Sequence, residues 1–432
     1  MSPVDTAAAP FQDLVEESFD EAAFLWHRWE GELTSLTRNL DEIWSWTEDR
    51  LHGALDGVCV GGAASLALAT KELQSDELDR VTVSTAVLGS SGERRATDAV
   101  TAVLREAKGE KLRAMVRALE LLGSDQALRA AASVFASRDP DRAAALCRMK
   151  AFRRVTPGDE LATAFTSGVP DAQVEAIRAA RLVTSGTANE WILAALQGDD
   201  AAVRYAAVES ALCMRIDQAW ATAARLARQG SPDAGPYLNL LAIFGTAEES
   251  DSVFAALRIP GLQLPAIWAL GHLGTVRAAE ACLAGMQHEP LARACGEAYC
   301  WMTGADLARD RLAVEEAPVE APTFEDDDLD ANLVPAPDAL WPLPDPDAVK
   351  RHWLALRPAW AASVRHIRGG PVSGDTLLAV METGPMLRRP DIALELRVKT
   401  RGRYDVEPRA FTQRQRQMMA AGRAATSGHS GR

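Results

Sequence analysis

The 432-residue chain has no C-x-x-C pair among its six cysteines and no Lys or Arg between Met1 and Asp20. Cys59, Cys147, Cys213, Cys282, Cys295 and Cys300 lie far apart, which speaks against a disulfide framework or a zinc site. They read as small buried apolar residues of a reducing cytosol. The N-terminus also lacks an apolar signal core, so no secretory signal is expected. The longest uncharged stretch, Ile259 to Val276, is 18 residues long but is broken by Pro260, Gly261, Pro265, Gly271 and Gly274. No transmembrane helix is expected from it. Phosphate-binding G-x-x-x-x-G-K-[ST], dinucleotide-binding G-x-G-x-x-G, nucleophile-elbow G-x-S-x-G and metal-binding H-E-x-x-H patterns are all missing. None of the seven histidines makes a ligand-spaced pair, and His272 reads as a turn residue beside Gly271. No catalytic, cofactor-binding or metal-ligating residue is therefore assigned.

What is present is an apolar-rich, acidic composition: 47% hydrophobic residues, 25% charged residues and a formal charge of −14. Such a surface disfavours nucleic acid and anionic membranes as partners of the whole molecule. The charge is segregated along the chain. Leu312 to Val349 contains eleven acidic residues, no Lys or Arg, and seven prolines from Pro318 to Pro346, which reads as an extended linker. Its Glu325–Asp330 run lacks the glycine turn and distal glutamate of a calcium loop. Residues 350–432 carry 16 basic and 6 acidic residues, so they are expected to meet an acidic surface, the protein's own included, or to stay solvated.

Between Asp76 and Met302 one local grammar recurs: Asp, Pro or Gly, an Ala/Leu-rich run, a turn with glycine, and a second run. First-helix starts are expected near residues 76, 110, 141, 171, 201, 233, 264 and 290, a period typical of helical-hairpin solenoids. Asp139-Pro140-Asp141, Pro170-Asp171, Asp199-Asp200 and Glu289-Pro290 supply N-terminal punctuation, while Gly123, Gly186, Gly245, Gly271 and Gly274 mark the turns. Val203, Ala206, Ala207, Ser210, Ala211 and Met214 paint one stripe of a 3.6-residue helix. A single hairpin with so thin an apolar face cannot bury it alone; stacking the hairpins does.

The expected architecture is an all-α solenoid. Residues 1–75 form a Trp-rich helical cap, 76–311 the repeat array, 312–349 the acidic linker and 350–432 a small basic module. In the cap, Phe24, Leu25, Trp26, Trp29 and Leu33 fit one stripe, and Leu40, Ile43, Trp44, Thr47, Leu51 and Leu55 another. They read either as large side chains sealing the first repeat or as an aromatic binding pocket. In the basic module, Pro390 can open a helix through Ala393, Leu396 and Val398, the preferred reading. Ile392, Leu394, Leu396 and Val398 also alternate as in a strand. The end from Ala421 is expected to be disordered.

The segment Trp268-Ala-Leu-Gly-His-Leu-Gly-Thr-Val-Arg-Ala-Ala-Glu-Ala-Cys-Leu283 resembles the short HEAT repeat of the phycobilin-lyase type, and Asp200 to Leu212 looks like its other half. Phe24 to Trp29, Leu51 to Gly62, Arg388 to Gly402 and Arg409 to Arg416 extend the resemblance. Over nearly the full length, the chain is similar to a bacterial family of HEAT-repeat proteins encoded near type VI secretion genes. The resemblance brings no site residues and no activity; its setting implies an accessory role in the cytoplasm. HEAT-like iron hydroxylases need repeated His-Glu pairs, of which His288-Glu289 is the single example here. HEAT-like DNA glycosylases need a basic groove with aromatics.

The expected function is a non-enzymatic scaffold or adaptor whose partner is another protein, such as a secretion effector or its adaptor. Glu190, Trp191, Arg225 and Arg277 on second helices are the candidate partner-binding residues, because Trp and Arg dominate hot spots. The alternative is a HEAT-like enzyme or toxin acting on nucleic acid. A deep basic cleft with clustered carboxylates would favour it; a shallow mixed-charge hollow would favour the scaffold.

Overall fold

A computed structural model of the protein describes residues 9–183, 186–315 and 341–427, and the regular structure within them is helical apart from one short hairpin and an isolated bridge between Ala313 and Pro344. It opens with α1 (Ala9–Glu32), α2 (Leu40–Ile43), a π-helical turn at Trp44–Glu48, α3 (Asp49–Val60) and α4 (Ala63–Glu72). Asn39 caps α2 in a reciprocal box with Glu42. The buried stripe of α1 is Val15, Phe19, Ala22, Trp26 and Trp29, at helical spacing, with Leu25 beside it. Phe24, expected on that stripe, is exposed because it falls on the opposite side of the same helix.

The hairpins follow: α5 (Leu78–Ser90) with α6 (Arg94–Glu106), α7 (Gly109–Leu122) with α8 (Asp125–Phe135), α9 (Pro140–Arg153) with α10 (Glu160–Phe165), and α11 (Pro170–Ala180) with α12 (Gly186–Ala195). Then come α13 (Ala201–Met214) with α14 (Gln218–Gln229), α15 (Gly235–Phe244) with α16 (Asp251–Ala256), α17 (Gln263–Leu273) with α18 (Val276–Gly285), and α19 (Glu289–Thr303). A 3-10 turn at Pro232–Ala234 leads into α15. Every expected start therefore lies within two residues of an observed one.

Local chemistry explains the agreement. The Asp139 carboxylate accepts from the Arg142 N–H ahead of Pro140, and Asp200 accepts from the N–H groups of Ala202 and Val203 at 2.9 Å. Such caps satisfy orphan donors and stabilise each helix by about 1 kcal/mol.

Packing divides the chain into two bodies, Met1–Ala219 with Met381–Arg432, and Trp220–Val380. In the first, α1 packs on α5, and the first helices α5, α7, α9, α11 and α13 stack one on the next. In the second, α15, α17 and α19 do the same. The fold is an all-α solenoid of helical hairpins. Alanines at 0–1% exposure, such as Ala143, Ala176 and Ala207, allow the helices to pack closely.

Several expectations need correction. Gly271 and His272 lie inside α17, buried, because the helix continues to Gly274, whose left-handed φ of 54° ends it. Cys59 is exposed near the end of α3, unlike buried Cys147, Cys282 and Cys295. The expected linker is anchored at both ends: the Val314 N–H donates to the Leu343 carbonyl at 2.8 Å and the Asp345 N–H to the Leu312 carbonyl at 2.7 Å. Its last residues already belong to α20 (Pro346–Leu356), capped by Asp345. The core of that stretch, residues 316–340 with the Glu325–Asp330 run, lies outside the described residues.

Residues 350–432 do not form one module, since the division between the two bodies falls at 380/381. They hold α20, a hairpin of β1 (His366–Ile367) and β2 (Gly370–Pro371), α21 (Gly374–Thr383), α22 (Arg389–Lys399) and α23 (Thr412–Ser427). The two short strands pair antiparallel, His366 with Pro371. Residues 390–399 are helical, as Pro390 in the first turn and Asp391 beside it favour. Residues 421–427, expected to be disordered, complete α23.

No single helix among the described residues is long and apolar enough to cross a membrane. Leu40–Val60 with Ala63–Glu72 pass that test only as a pair bent by 112°.

Candidate functional site

Equivalent positions in successive repeats align on neighbouring first helices. Arg117 on α7, Arg148 on α9 and Arg178 on α11 each stand eight residues after the first residue of their helix, so they form a basic ladder across the row. Glu110, Asp141 and Asp171 stand one residue after it and form an acidic edge near the helix N-termini. Between them the surface is low and apolar, with Val116, Ala144 and Ala172 in its floor.

One half of this row is covered by the chain's own C-terminal segment. Residues 381–427 run back along the first body toward the cap. Helix α22 packs on α13. Asp405 then meets Arg154 at 3.0 Å and also pairs with Arg397. Arg117 donates to the Arg409 carbonyl at 2.6 Å and holds Glu30 at 2.6 Å, while Glu120 takes Arg148 at 2.9 Å. Arg154 reaches these groups because it ends α9 in the left-handed conformation, φ 60°.

The segment finishes on the cap. Glu48, fully buried in the π-helical turn, accepts from Trp29 Nε1 at 3.0 Å, from the Thr412 N–H at 2.8 Å and from the Thr412 hydroxyl at 2.8 Å. Burial pushes the Glu48 carboxyl above its ordinary pKa, against the pull of these donors. Phe411 lies 4.7 Å from the Trp29 ring and 4.7 Å from His52. The cap's buried tryptophans are thus packed against the chain's own end.

A cleft of about 320 Å³ opens between the covering segment and α9, α11 and α13. It holds six arginines and four carboxylates, and each carboxylate has an arginine within 4 Å. Burial would raise the Glu407 carboxyl, but Arg409 and Arg154 outweigh it and hold the group below its usual range. Burial would likewise lower the Arg181 guanidinium, yet Cys213, Glu209 and Asp405 keep it raised. Groups held charged in this way fix a segment in place by complementary pairing; they are not poised to exchange protons near neutrality.

Beside this cleft, over the N-terminal halves of α7, α9, α11 and α13, a second groove of about 320 Å³ stays open. It shares Arg148, Glu175 and Arg178 with the covered part.

The four candidate partner-binding residues are dispersed. Glu190 is exposed on α12, and Trp191 next to it stacks on Phe165 at 5.1 Å, a packing role. Arg225 is exposed on α14. Arg277 on α18 lies 3.7 Å over the Phe254 ring and pairs with Asp251. Glu190 and Trp191 belong to the first body, Arg225 and Arg277 to the second, and within neither do they line the cleft or the groove. The residues that the array contributes to them sit on first helices or at their ends, and residues 390–409 supply the rest of the cleft. Their signal was the recurrence of Arg148 and Arg178 at one repeat position, which Arg117 shares on α7. No group of three metal-ligating side chains occurs among the described residues.

No family model matches the chain, and no curated protein matches it. Among solved structures, the chain is similar to one titled as the crystal structure of an engineered protein from the Northeast Structural Genomics Consortium. That similarity has 12% identity and a TM-score of 0.27, covering 88% of this chain and 99% of that one. A likeness of that size carries no argument about this chain.

Proposed function

We propose that the protein is a non-enzymatic scaffold that holds a segment of another protein along its row of first helices. The observation that carries this reading is the returning segment itself. A helix, a loop and a single aromatic anchor, residues 389–412, lie on that row through ion pairs, backbone acceptors and one buried carboxylate. The row therefore has the chemistry of a peptide-binding face, and part of it is open. The resemblance to secretion-associated HEAT-repeat proteins makes an effector or its adaptor the partner to try first.

The test is site-specific photo-crosslinking in the native host, with the reactive residue placed at Arg113 on α7 and, for comparison, at Arg225 on α14. A partner linked from position 113 and not from 225 is expected. Linkage from neither position, together with cleavage or base excision of nucleic acid by the purified chain, would overturn the reading.

A further inference from the structure

The covered cleft holds more guanidinium than its carboxylates neutralise. Six arginines line it against four carboxylates, or five with Glu120, which stands outside the lining and takes Arg148 at 2.9 Å. A positive surplus remains on either count, in a chain whose formal charge is −14. Between protein walls such a surplus is more unfavourable than on an open surface. Most terminal nitrogens of these arginines are also uncommitted. Among the described residues Arg178 makes no side-chain hydrogen bond, and its ion-pair partner Glu175 stands 3.8 Å away. Arg148 and Arg409 each donate from the side chain through Nε alone, to Glu120 at 2.9 Å and to Glu407 at 3.4 Å. Arg154, by contrast, commits both terminal nitrogens, to the Ala151 carbonyl and to Asp405.

The uncommitted donors select a ligand class. A guanidinium offers paired N–H groups that fit the oxygens of a carboxylate or a phosphate. A carboxylate brings one charge and two oxygens. A phosphoryl group brings a charge of about −1.5 to −2 at neutral pH and three acceptor oxygens, enough to match the surplus and to be shared among several arginines. The cleft volume of about 320 Å³ lies at the low end of small-molecule sites, about 300–1,000 Å³. One wall is the array and the other is the chain's own residues 390–409. A space of that size suits one small compound touching both walls. Phe152, Leu182 and Leu394 in the lining offer apolar contact to its organic part.

We propose that this cleft binds a small phosphate monoester, its phosphoryl oxygens held by the terminal nitrogens of Arg148 and Arg178 on the array and of Arg409 on the returning segment. The bound compound joins the two walls and so fastens residues 390–409 to the row. The proposal is independent of the scaffold reading, which concerns the neighbouring open groove.

The test is calorimetric titration of the full chain, at fixed ionic strength, with phenyl phosphate, with benzoate and with the peptide Gly-Gly-phosphotyrosine-Gly-Gly. Hydrogen exchange across residues 390–409 is followed in parallel. Phenyl phosphate is expected to bind at least tenfold more tightly than either of the others and to slow that exchange at least fivefold. Arg178→Gln breaks no hydrogen bond, so it should lower the affinity at least tenfold with the urea midpoint unchanged. Arg225→Gln on α14 should leave the affinity as it is. No saturable binding of phenyl phosphate, binding indifferent to Arg178→Gln, or binding that leaves the exchange of 390–409 unaltered would overturn the proposal. Benzoate binding as tightly would overturn the phosphoryl assignment, and tighter binding of the peptide would overturn the small compound. Each of these outcomes leaves the scaffold reading to the crosslinking experiment, which uses no phosphate.

Discussion

The returning segment closes on the two bodies by different chemistry. In the second body it docks through backbone. The His366 N–H donates to the Gly274 carbonyl at 2.8 Å, and the N–H groups of Arg368 and Gly369 donate to the carbonyls of Trp301 and Met302 at 2.8 and 2.9 Å. Arg365 adds a donor to the His272 carbonyl at the end of α17. An aromatic run, Tyr299, Trp353, Trp360 and His366, packs the loop, and the last two rings stack at 4.0 Å. In the first body two backbone bonds, from the Met386 and Leu387 N–H groups to the Arg38 and Ser35 carbonyls, start the docking, and the rest of it runs through ionised side chains, several of them buried. Backbone docking demands glycine where main chains touch, and it is indifferent to salt. Side-chain docking tolerates more backbone variation but responds to pH and ionic strength.

The sharpest way to break the contrast is at Gly274. A β-carbon there would run into the His366 carbonyl, and the left-handed φ adds strain. Gly274→Val should cost about 4 kcal/mol. It should be read as a large drop in the urea midpoint, with no change in its salt dependence.

In the first body the largest effect is expected at Glu48. Glu48→Ala leaves the Trp29 indole N–H and the Thr412 N–H and hydroxyl without their acceptor, at about 3 kcal/mol. Equilibrium unfolding would measure it, and loss of hydrogen-exchange protection across 410–416 would place it.

The same residue gives the pH dependence. Its pKa in the folded state is raised above the unfolded value, so the folded state binds the proton more tightly. Stability relative to Glu48→Gln should therefore be greatest below about pH 4, near the unfolded pKa, and fall as pH rises through the folded pKa. A difference that grew with pH would contradict the burial argument.

Smaller changes follow at the half-buried and exposed pairs. Arg154→Ala removes the contacts with Asp405 and Glu407 and should cost about 1–2 kcal/mol. Arg416→Ala at the exposed Asp41 pair should cost less than about 1 kcal/mol, and the loss should vanish in molar salt.

Much of the solenoid was legible because its signals are local. A cap acts within three residues and a stripe within a few turns, so Asp139, Pro170 and Asp200 announce their helices without reference to the rest of the chain. The binding face was not legible in the same way. Second-helix residues such as Trp191 and Arg277 have hot-spot chemistry, but the repeat turns one toward Phe165 and the other toward Phe254 and Asp251. Arg117, Arg148 and Arg178 share a repeat position, a pattern already present on the expected starts at 110, 141 and 171, but repeat position alone does not say which face of the row is covered and which stays open.

The sequence by itself determined the hairpins, their period and the stacking that a thin apolar stripe requires. Tertiary structure alone decided where residues 341–427 lie. Composition says that this segment is basic and partly apolar, yet α7, α9 and α11 all offer a similar edge of carboxylates, Glu110, Asp141 and Asp171. Selecting one path needs contacts such as Glu48 with Thr412, 364 residues apart, whose energy exists only after the array has formed.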